Sequence, residues 1–215
     1  VYVIGCLSQR YGAELQEEIP EVDAFFGKFD WKGVLERMGE HFDERIRNQR
    51  VLTTPDHYAY LKISEGCNRT CSYCGIPIMT GKHKSRDFEE LLEECRALVK
   101  GGVKEILVVA QDLTYYGIDL YGKNRLAELI GRIADIEGLE WIKLHYAYPA
   151  GFPLELLTVM RERPNVCKYL DIALQHCSDH MLQQMRRGIS KKQTIELIRK
   201  IRQEVPGIFI RTTLM

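Results

Sequence analysis

The sequence has no surplus of charge of either sign: 30 lysines and arginines stand against 30 aspartates and glutamates. No global field draws the chain to nucleic acid or to an anionic membrane surface, so any site for a polyanion has to be local. Nor is there an apolar run approaching the roughly 18 residues that a membrane-spanning helix needs, or a charged-then-apolar segment at the amino end. Internal repeats and low-complexity tracts are absent. Cysteine is sparse and odd in number: there are seven, of which Cys67, Cys71 and Cys74 fall within eight residues. That distribution does not suit a secreted disulfide framework and points to a reducing compartment, where thiols serve metals. Together these absences predict a soluble cytoplasmic protein with no membrane partner. What is present, 45% hydrophobic residues in a chain of 215, is enough for a sizeable core.

The chain opens on VYVIGCLSQRYG, read as a buried strand running through a loop into a helix, and closes on GIFIRTTLM, read as a strand. A sequence that starts and stops inside apolar strands is expected to be a piece of a longer protein. The charged stretch HFDERIRNQRVLTTPDH reads as a linker, and the expected division is 1–44, a linker 45–57, and a core 58–215 that ends after its fifth strand. Within that core YAYLKIS alternates as a strand. Phe88, Leu91, Leu92, Cys95, Leu98 and Val99 form a helical stripe that stops at Gly101 and Gly102. EILVVA follows as a strand buried on both faces. A helix around 124–136, the strand WIKLHYA, a helix after Pro153, the strand KYLDIAL, helices capped by Ser178 and Ser190, and the strand IFIRTTL complete the pattern. Strict alternation of this kind predicts an α/β fold, a parallel β/α sheet curled into a barrel or part of one.

Chemistry in such folds collects where strands end. Those ends carry Glu65 to Cys74, then Gln111 and Asp112, then His145, Tyr146 and Tyr148, then Gln175 and His176. Taken singly, each is a surface polar residue that ends a strand; gathered on one rim, they mark a candidate site. The spacing C-x3-C-x2-C gives three thiolates and no fourth nearby. A structural zinc site wants four ligands, and taking His83 as the fourth matches no common zinc knuckle. Three thiolates suit three irons of a 4Fe-4S cube, with the fourth iron left to chelate the amino and carboxylate groups of a small cofactor.

This motif, with Tyr73 before the last cysteine and placed after the first barrel strand, resembles the radical S-adenosylmethionine superfamily. The continuation IPIMTGKHKSR is similar to that of the methylthiotransferases, and GCLSQRYGAELQEEIPEVDAFFG is similar to the end of their amino-terminal domain. AQDLTYYGIDLYG, LHYAYP and YLDIALQHCSDHMLQQMRRG resemble the branch that modifies a ribosomal protein more than the branch that modifies transfer RNA. The resemblance implies an enzyme that places a methylthio group on the β-carbon of an aspartate in the twelfth small-subunit ribosomal protein, through a 5'-deoxyadenosyl radical. The alternatives are a tRNA adenosine methylthiotransferase and a non-catalytic, zinc-stabilised binding module. It also implies that Cys67, Cys71 and Cys74 hold the radical 4Fe-4S cluster and that Tyr73 packs against the adenine of S-adenosyl-L-methionine. Gln111, Gln175 and Arg187 become candidates for that cofactor's ribose and carboxylate. Cys6 matches one ligand of an auxiliary 4Fe-4S cluster whose other ligands lie upstream, so one cluster is expected in this chain and two in the whole protein. The expected partners are the ribosomal protein and an external electron donor, with contact to nucleic acid allowed but not required. Two positions depart from the family pattern: Ala173 and Asp87 stand where proline is usual.

Of the remaining cysteines, Cys95 lies on the helical stripe and is assigned to the core, and Cys167 precedes a strand at the far end from the site. Cys177, beside His176 at the rim, is read as a buried packing thiol with a rim thiol as the alternative. His176 is either a core histidine satisfied by a backbone partner or a site residue. RIRNQR, GKHKSR and MRRGISKK read as solvated basic faces, or, if they share a rim, as a surface for an RNA backbone or an acidic loop.

Overall fold

The computed structural model describes residues 1–28, 30–41 and 50–215. They form two compact units, Val1–Val51 with Cys74–Lys82, and Leu52–Tyr73 with His83–Met215. Positions 45–49 of the expected linker, and with them most of RIRNQR, lie outside the described residues; 51–57 contain neither helix nor strand.

In the first unit β1 (Tyr2–Gly5) pairs in parallel with β2 (Ala24–Gly27), and α1 (Cys6–Glu18) connects them. The opening strand is not the buried strand expected: Tyr2 and Ile4 are about 40% exposed. No loop follows it either, because α1 begins directly at Cys6, after Gly5 at φ 146°. The short helices α2 (Trp31–Arg37) and α3 (Ile76–Thr80) complete the unit, with α3 packed on α1.

The second unit is built on a five-stranded sheet. Its order is β3 (Tyr58–Lys62), β6 (Glu105–Val109), β7 (Trp141–Ala147), β8 (Val166–Ile172) and β9 (Phe209–Arg211), and every pairing is parallel. A two-stranded antiparallel ribbon, β4 (Ser64–Glu65) and β5 (Lys84–Ser85), follows β3. The helices α4 (Phe88–Lys100), α6 (Leu126–Ala134), α7 (Glu155–Glu162) and α9 (Lys191–Glu204) alternate with the strands. Between them lie the shorter α5 (Ile118–Tyr121) and α8 (Asp179–Gln184).

The local causes are visible in the sequence. In α4 the apolar stripe Phe88, Leu91, Leu92, Cys95 and Leu98 is buried, as helical spacing requires. Asp87 starts it: its carboxylate accepts the N–H groups of Glu89 and Glu90 at 2.9 and 3.1 Å, a capping role that a proline there would lack. Leu126, Leu129, Ile130 and Ile133 of α6, with Leu156, Leu157 and Met160 of α7, join the same core. Against them the sheet presents Ala59, Leu61, Ile106, Val108, Ile142, Leu144, Leu170 and Ile172, all almost fully buried.

EILVVA is therefore buried on one face, not two. Ile106 and Val108 point into the helical layer, while Glu105, Leu107 and Val109 are only half-buried. The second face carries Lys143, His145, Tyr169, Asp171 and Arg211, so it is polar where the sequence pattern read as apolar. Among the described residues no helix is long and apolar enough to cross a membrane.

The two serine caps differ. Ser190 forms a full capping box with Gln193 at the start of α9, whereas the Ser178 side chain makes no capping bond to α8. Instead the Ser178 N–H donates to the Nδ1 of His176 at 3.0 Å. Ser190→Ala is expected to cost about 1 kcal/mol of stability. Ser178→Ala should cost less than about 0.5 kcal/mol, because no capping bond is lost. Urea denaturation of the two variants checks both values.

Candidate functional site

Because the five strands run in one direction, the segments after them share one rim. After β3 the chain passes through Glu65 to the cysteine loop. Cys67 is buried and its sulfur accepts the backbone N–H of Arg69 at 3.4 Å. Burial pushes its thiol up, so a metal has to displace a proton there. The Arg69 guanidinium donates from Nε to Asp112 at 2.7 Å, and Asp112, after β6, is 1% exposed. Asp112 in turn accepts the N–H of Thr114 at 2.9 Å, which fixes the carboxylate.

Cys71 has two partners from other segments, Tyr148 just after β7 and Arg187 just after α8. Its sulfur lies 3.3 Å from Arg187 Nη1 and 3.6 Å from the Tyr148 hydroxyl. Burial, with Cys71 beside it, pushes the Tyr148 hydroxyl well up, so it stays protonated and donates to the Arg187 carbonyl at 2.7 Å. Arg187, only 3% exposed, also donates from Nη1 to the Tyr73 hydroxyl at 3.1 Å and from Nη2 to the Ala173 carbonyl. No carboxylate is placed to pair with Arg187 among the described residues, and its Nε has no partner at all. The backbone of Ala173 donates to the Ala147 carbonyl at 3.2 Å, a bond that a proline would forfeit.

Gln111 donates from Nε2 to Glu65 at 2.9 Å, and its Oε1 is buried without a partner. Gln175 stands after β8 at φ 70°, with its backbone pinned to Thr213 and Met215 beyond β9. Tyr146, at φ 69°, and Arg186, at φ 54°, are the other non-glycine residues with positive φ among those described, and all three lie at strand or helix ends beside this loop system. Strain concentrated in one place marks a constrained site.

Cys74 begins the segment 74–82 of the first unit and is half-buried, as is Cys6 at the first turn of α1. Among the described residues no three His, Cys, Asp or Glu side chains are gathered as a metal group. His83 is occupied otherwise: its Nε2 lies 3.3 Å from the Ser85 hydroxyl and its ring packs on Tyr115. Cys95 is in the core, as expected, and Cys167 lies inside the amino end of β8, half-buried, with its thiol pushed up by burial. Cys177 is exposed, not buried, because the turn into α8 carries it outward. His176 is half-buried and accepts the Ser178 N–H, so it has a backbone partner without lying in the core.

In GKHKSR, Arg86 is taken up by Glu90 and Glu94, both at 2.8 Å, and in MRRGISKK Arg187 is buried in the site. A recess of about 590 Å³ lies at the opposite end of the sheet, lined by Arg96, Lys100, Lys104 and Arg132. Lys100 and Arg132 end α4 and α6, where cations offset the helix dipole, so their structural role is sufficient.

Comparison with known proteins decides the family. A family profile described as the Radical SAM superfamily matches residues 61–215. The chain belongs to this superfamily. It is 65% identical over its whole length to the ribosomal protein uS12 methylthiotransferase RimO of Porphyromonas gingivalis, and 64% identical to that of Bacteroides fragilis. In both cases it spans about half the length of the relative. Among solved structures it resembles the cobalamin-dependent S-adenosylmethionine radical enzyme OxsB, with a TM-score of 0.67 at 13% identity over 100% of this chain and 36% of that one. The radical S-adenosylmethionine methyltransferase TsrM of Kitasatospora setae matches at a TM-score of 0.57 and 16% identity, over 73% of this chain and 30% of that one. These two likenesses concern the fold: an α/β radical-SAM-type architecture with a partial parallel barrel.

Of the residues singled out in the sequence, the structure brings Cys67, Cys71, Tyr73 and Arg187 together. It puts Gln111 on Glu65. Arg69 and Tyr148 were not marked as partners of the sulfurs. Only the spacing of Arg69, two residues past Cys67, and the aromatic in LHYAYP hinted at them.

His83 and His145 are both held below the ordinary imidazole value by burial, against the pull of Asp119 and Asp171. The unfolded chain therefore binds protons that the folded chain refuses. The associated stability is complete above the ordinary pKa of about 6.5 and lost as pH falls through the lowered folded values. Urea midpoints should fall between about pH 7 and about pH 5, and His83→Gln should flatten part of that slope. An unchanged slope in His83→Gln would mean that His83 protonates freely in the fold.

Proposed function

We propose that the protein containing this chain is a radical S-adenosylmethionine methylthiotransferase that modifies the β-carbon of an aspartate in ribosomal protein uS12, in the cytoplasm. The 65% identity over the full chain to a protein of that name supports this reading, and the rim geometry supplies the chemistry. We assign Cys67, Cys71 and Cys74 to the radical cluster, Tyr73, Gln111, Gln175 and Arg187 to the cofactor, and Cys6 to an auxiliary cluster completed by residues outside this chain. Residues 1–44, 45–57 and 58–215 would then be the end of an amino-terminal domain, a linker and the radical core.

The side chains present fit such a group. Cys67, Cys71 and Cys74 fall within eight residues of sequence, and three soft thiols at that spacing are the donor set of an iron-sulfur cluster. Arg187 is a buried cation with neutral partners and a spare N–H, and Gln111 has a spare buried carbonyl, so both lack what an anionic, amino-acid-like ligand would bring. When bound with S-adenosylmethionine, the cluster supplies one-electron cleavage of the sulfonium to a 5'-deoxyadenosyl radical.

The chain's own residues do the rest. Arg187 offers a fixed guanidinium for a carboxylate, and Tyr73, tied to it, is held in place for stacking. Tyr148 keeps its proton and donates a hydrogen bond to the Arg187 carbonyl, which fixes the backbone that carries the guanidinium. Glu65 orients the Gln111 amide, leaving its carbonyl for a donor. The buried rim excludes water from these contacts.

Cys71→Ala in the full-length protein should remove about four irons per chain and abolish reductive cleavage of S-adenosylmethionine. Cys6→Ala should also lose about four irons yet keep the cleavage. Iron analysis and detection of 5'-deoxyadenosine separate the two. For the substrate, mass spectrometry of ribosomal proteins and tRNA nucleosides from cells lacking the gene should show an unmodified uS12 aspartate and unchanged tRNA. Loss of the tRNA methylthio group with uS12 still modified would assign the enzyme to the tRNA branch.

A further inference from the structure

The cysteine loop is held by more than its own backbone. The guanidinium carbons of Arg69 and Arg187 lie 4.0 and 4.2 Å from the centre of the Tyr148 ring. Two like charges on one ring in a buried place repel each other, and such an arrangement persists only if each is anchored. Arg69 is anchored by the buried Asp112, and Arg187 by the Ala173 carbonyl and the Tyr73 hydroxyl. Each anchor reaches one sulfur. Cys67 accepts from the Arg69 backbone, and Cys71 lies within reach of Arg187 and of the Tyr148 hydroxyl. The loop is also tied by Ser72, whose N–H and hydroxyl donate to the carbonyls of Met185 and Gln184 at 3.2 and 2.9 Å.

We propose that Arg69 and Tyr148 are positioning residues: with Arg187 they form a cationic stack that holds Cys67 and Cys71 in place before iron arrives and keeps positive charge beside their sulfurs afterwards. This rests on the reading that these cysteines hold a cluster. The Asp112 carboxylate neutralises one of the two guanidiniums, and the second cation is left for an anionic thiolate-bound group. Side chains that orient metal ligands without touching the metal tune both affinity and potential. Replacing Arg69 with a neutral side chain leaves the buried Asp112 carboxylate uncompensated beside the sulfurs, which disfavours the reduced, more negative cluster, so the reduction potential has to fall.

The test uses the full-length protein with Arg69→Gln, Arg69→Lys and Tyr148→Phe. Gln keeps a hydrogen bond to Asp112 but removes charge and stack; Lys keeps the charge alone; Phe keeps the ring and removes the hydroxyl. In the iron-free protein, hydrogen exchange of the amides of 67–73 should rise about tenfold in Arg69→Gln, the loss of a desolvated cation on a ring. Arg69→Lys should show the same rise, because the planar stack is gone. After reconstitution, iron affinity should fall at least about tenfold in Arg69→Gln. The midpoint potential of the cluster that responds to added S-adenosylmethionine should move to more negative values in Arg69→Gln and return in Arg69→Lys. Tyr148→Phe should keep the potential and loosen Cys71 without loosening Cys67. Unchanged exchange in the iron-free Arg69→Gln protein, or a potential equal to the parent's, overturns the proposal. If the parent protein itself takes up no iron on Cys67, Cys71 and Cys74, the cluster reading fails. The exchange data then still decide whether the stack holds the loop.

Discussion

Parallel pairing through β3, β6, β7, β8 and β9 is the constraint on which everything else rests. A parallel neighbour requires a crossover, and the crossovers here are the helices that cover one face of the sheet. The same rule sends every strand's carboxyl end to one side. Residues as far apart in sequence as Cys67, Asp112, Tyr148 and Arg187 therefore meet without any long-range signal in the chain. The core of Leu61, Ile106, Ile142 and Leu170 gives the rim a rigid base, as precise chemistry needs.

The site built on that base is short of anions. A buried guanidinium is costly unless a charge or a full set of acceptors meets it. Arg69 finds Asp112, while Arg187 finds a carbonyl, a hydroxyl and a thiol, and keeps one N–H unspent. Around it the backbone takes positive φ at Tyr146, Gln175 and Arg186, conformations that non-glycine residues hold only when their surroundings over-determine them. Cost in charge and cost in backbone geometry fall in the same few residues. Elsewhere in the sheet the buried Asp171 is met by Arg211 and His145.

Much of this architecture was legible in the chain. The stripes of α4 and α6, the Ser190 cap and the β/α alternation follow from local spacing, and local spacing is what a sequence states directly. The errors came where burial depends on distant partners. EILVVA looked apolar throughout, yet only one of its faces meets helices, and the other joins the polar face of Lys143, His145 and Asp171. The opening strand looked buried because it is apolar, but its pairing with β2 leaves Tyr2 and Ile4 part-exposed. Ser178 looked like a cap because of its residue type, but its side chain makes no capping bond, and its own N–H is turned back to His176. Cys177 looked like a packing thiol and is exposed.

By itself the sequence determined the three-thiol spacing, the order of strands and helices and the identity of the rim residues, since each of these is fixed by neighbours a few positions away. The tertiary structure alone decided which of those residues touch. It set Arg69 and Arg187 against one tyrosine ring and gave Cys71 two partners from segments more than seventy residues away. Among the described residues it also left Arg187 without an acid. Such contacts depend on how parallel strands stagger and twist, a collective property of the packed sheet that no single stretch of sequence encodes.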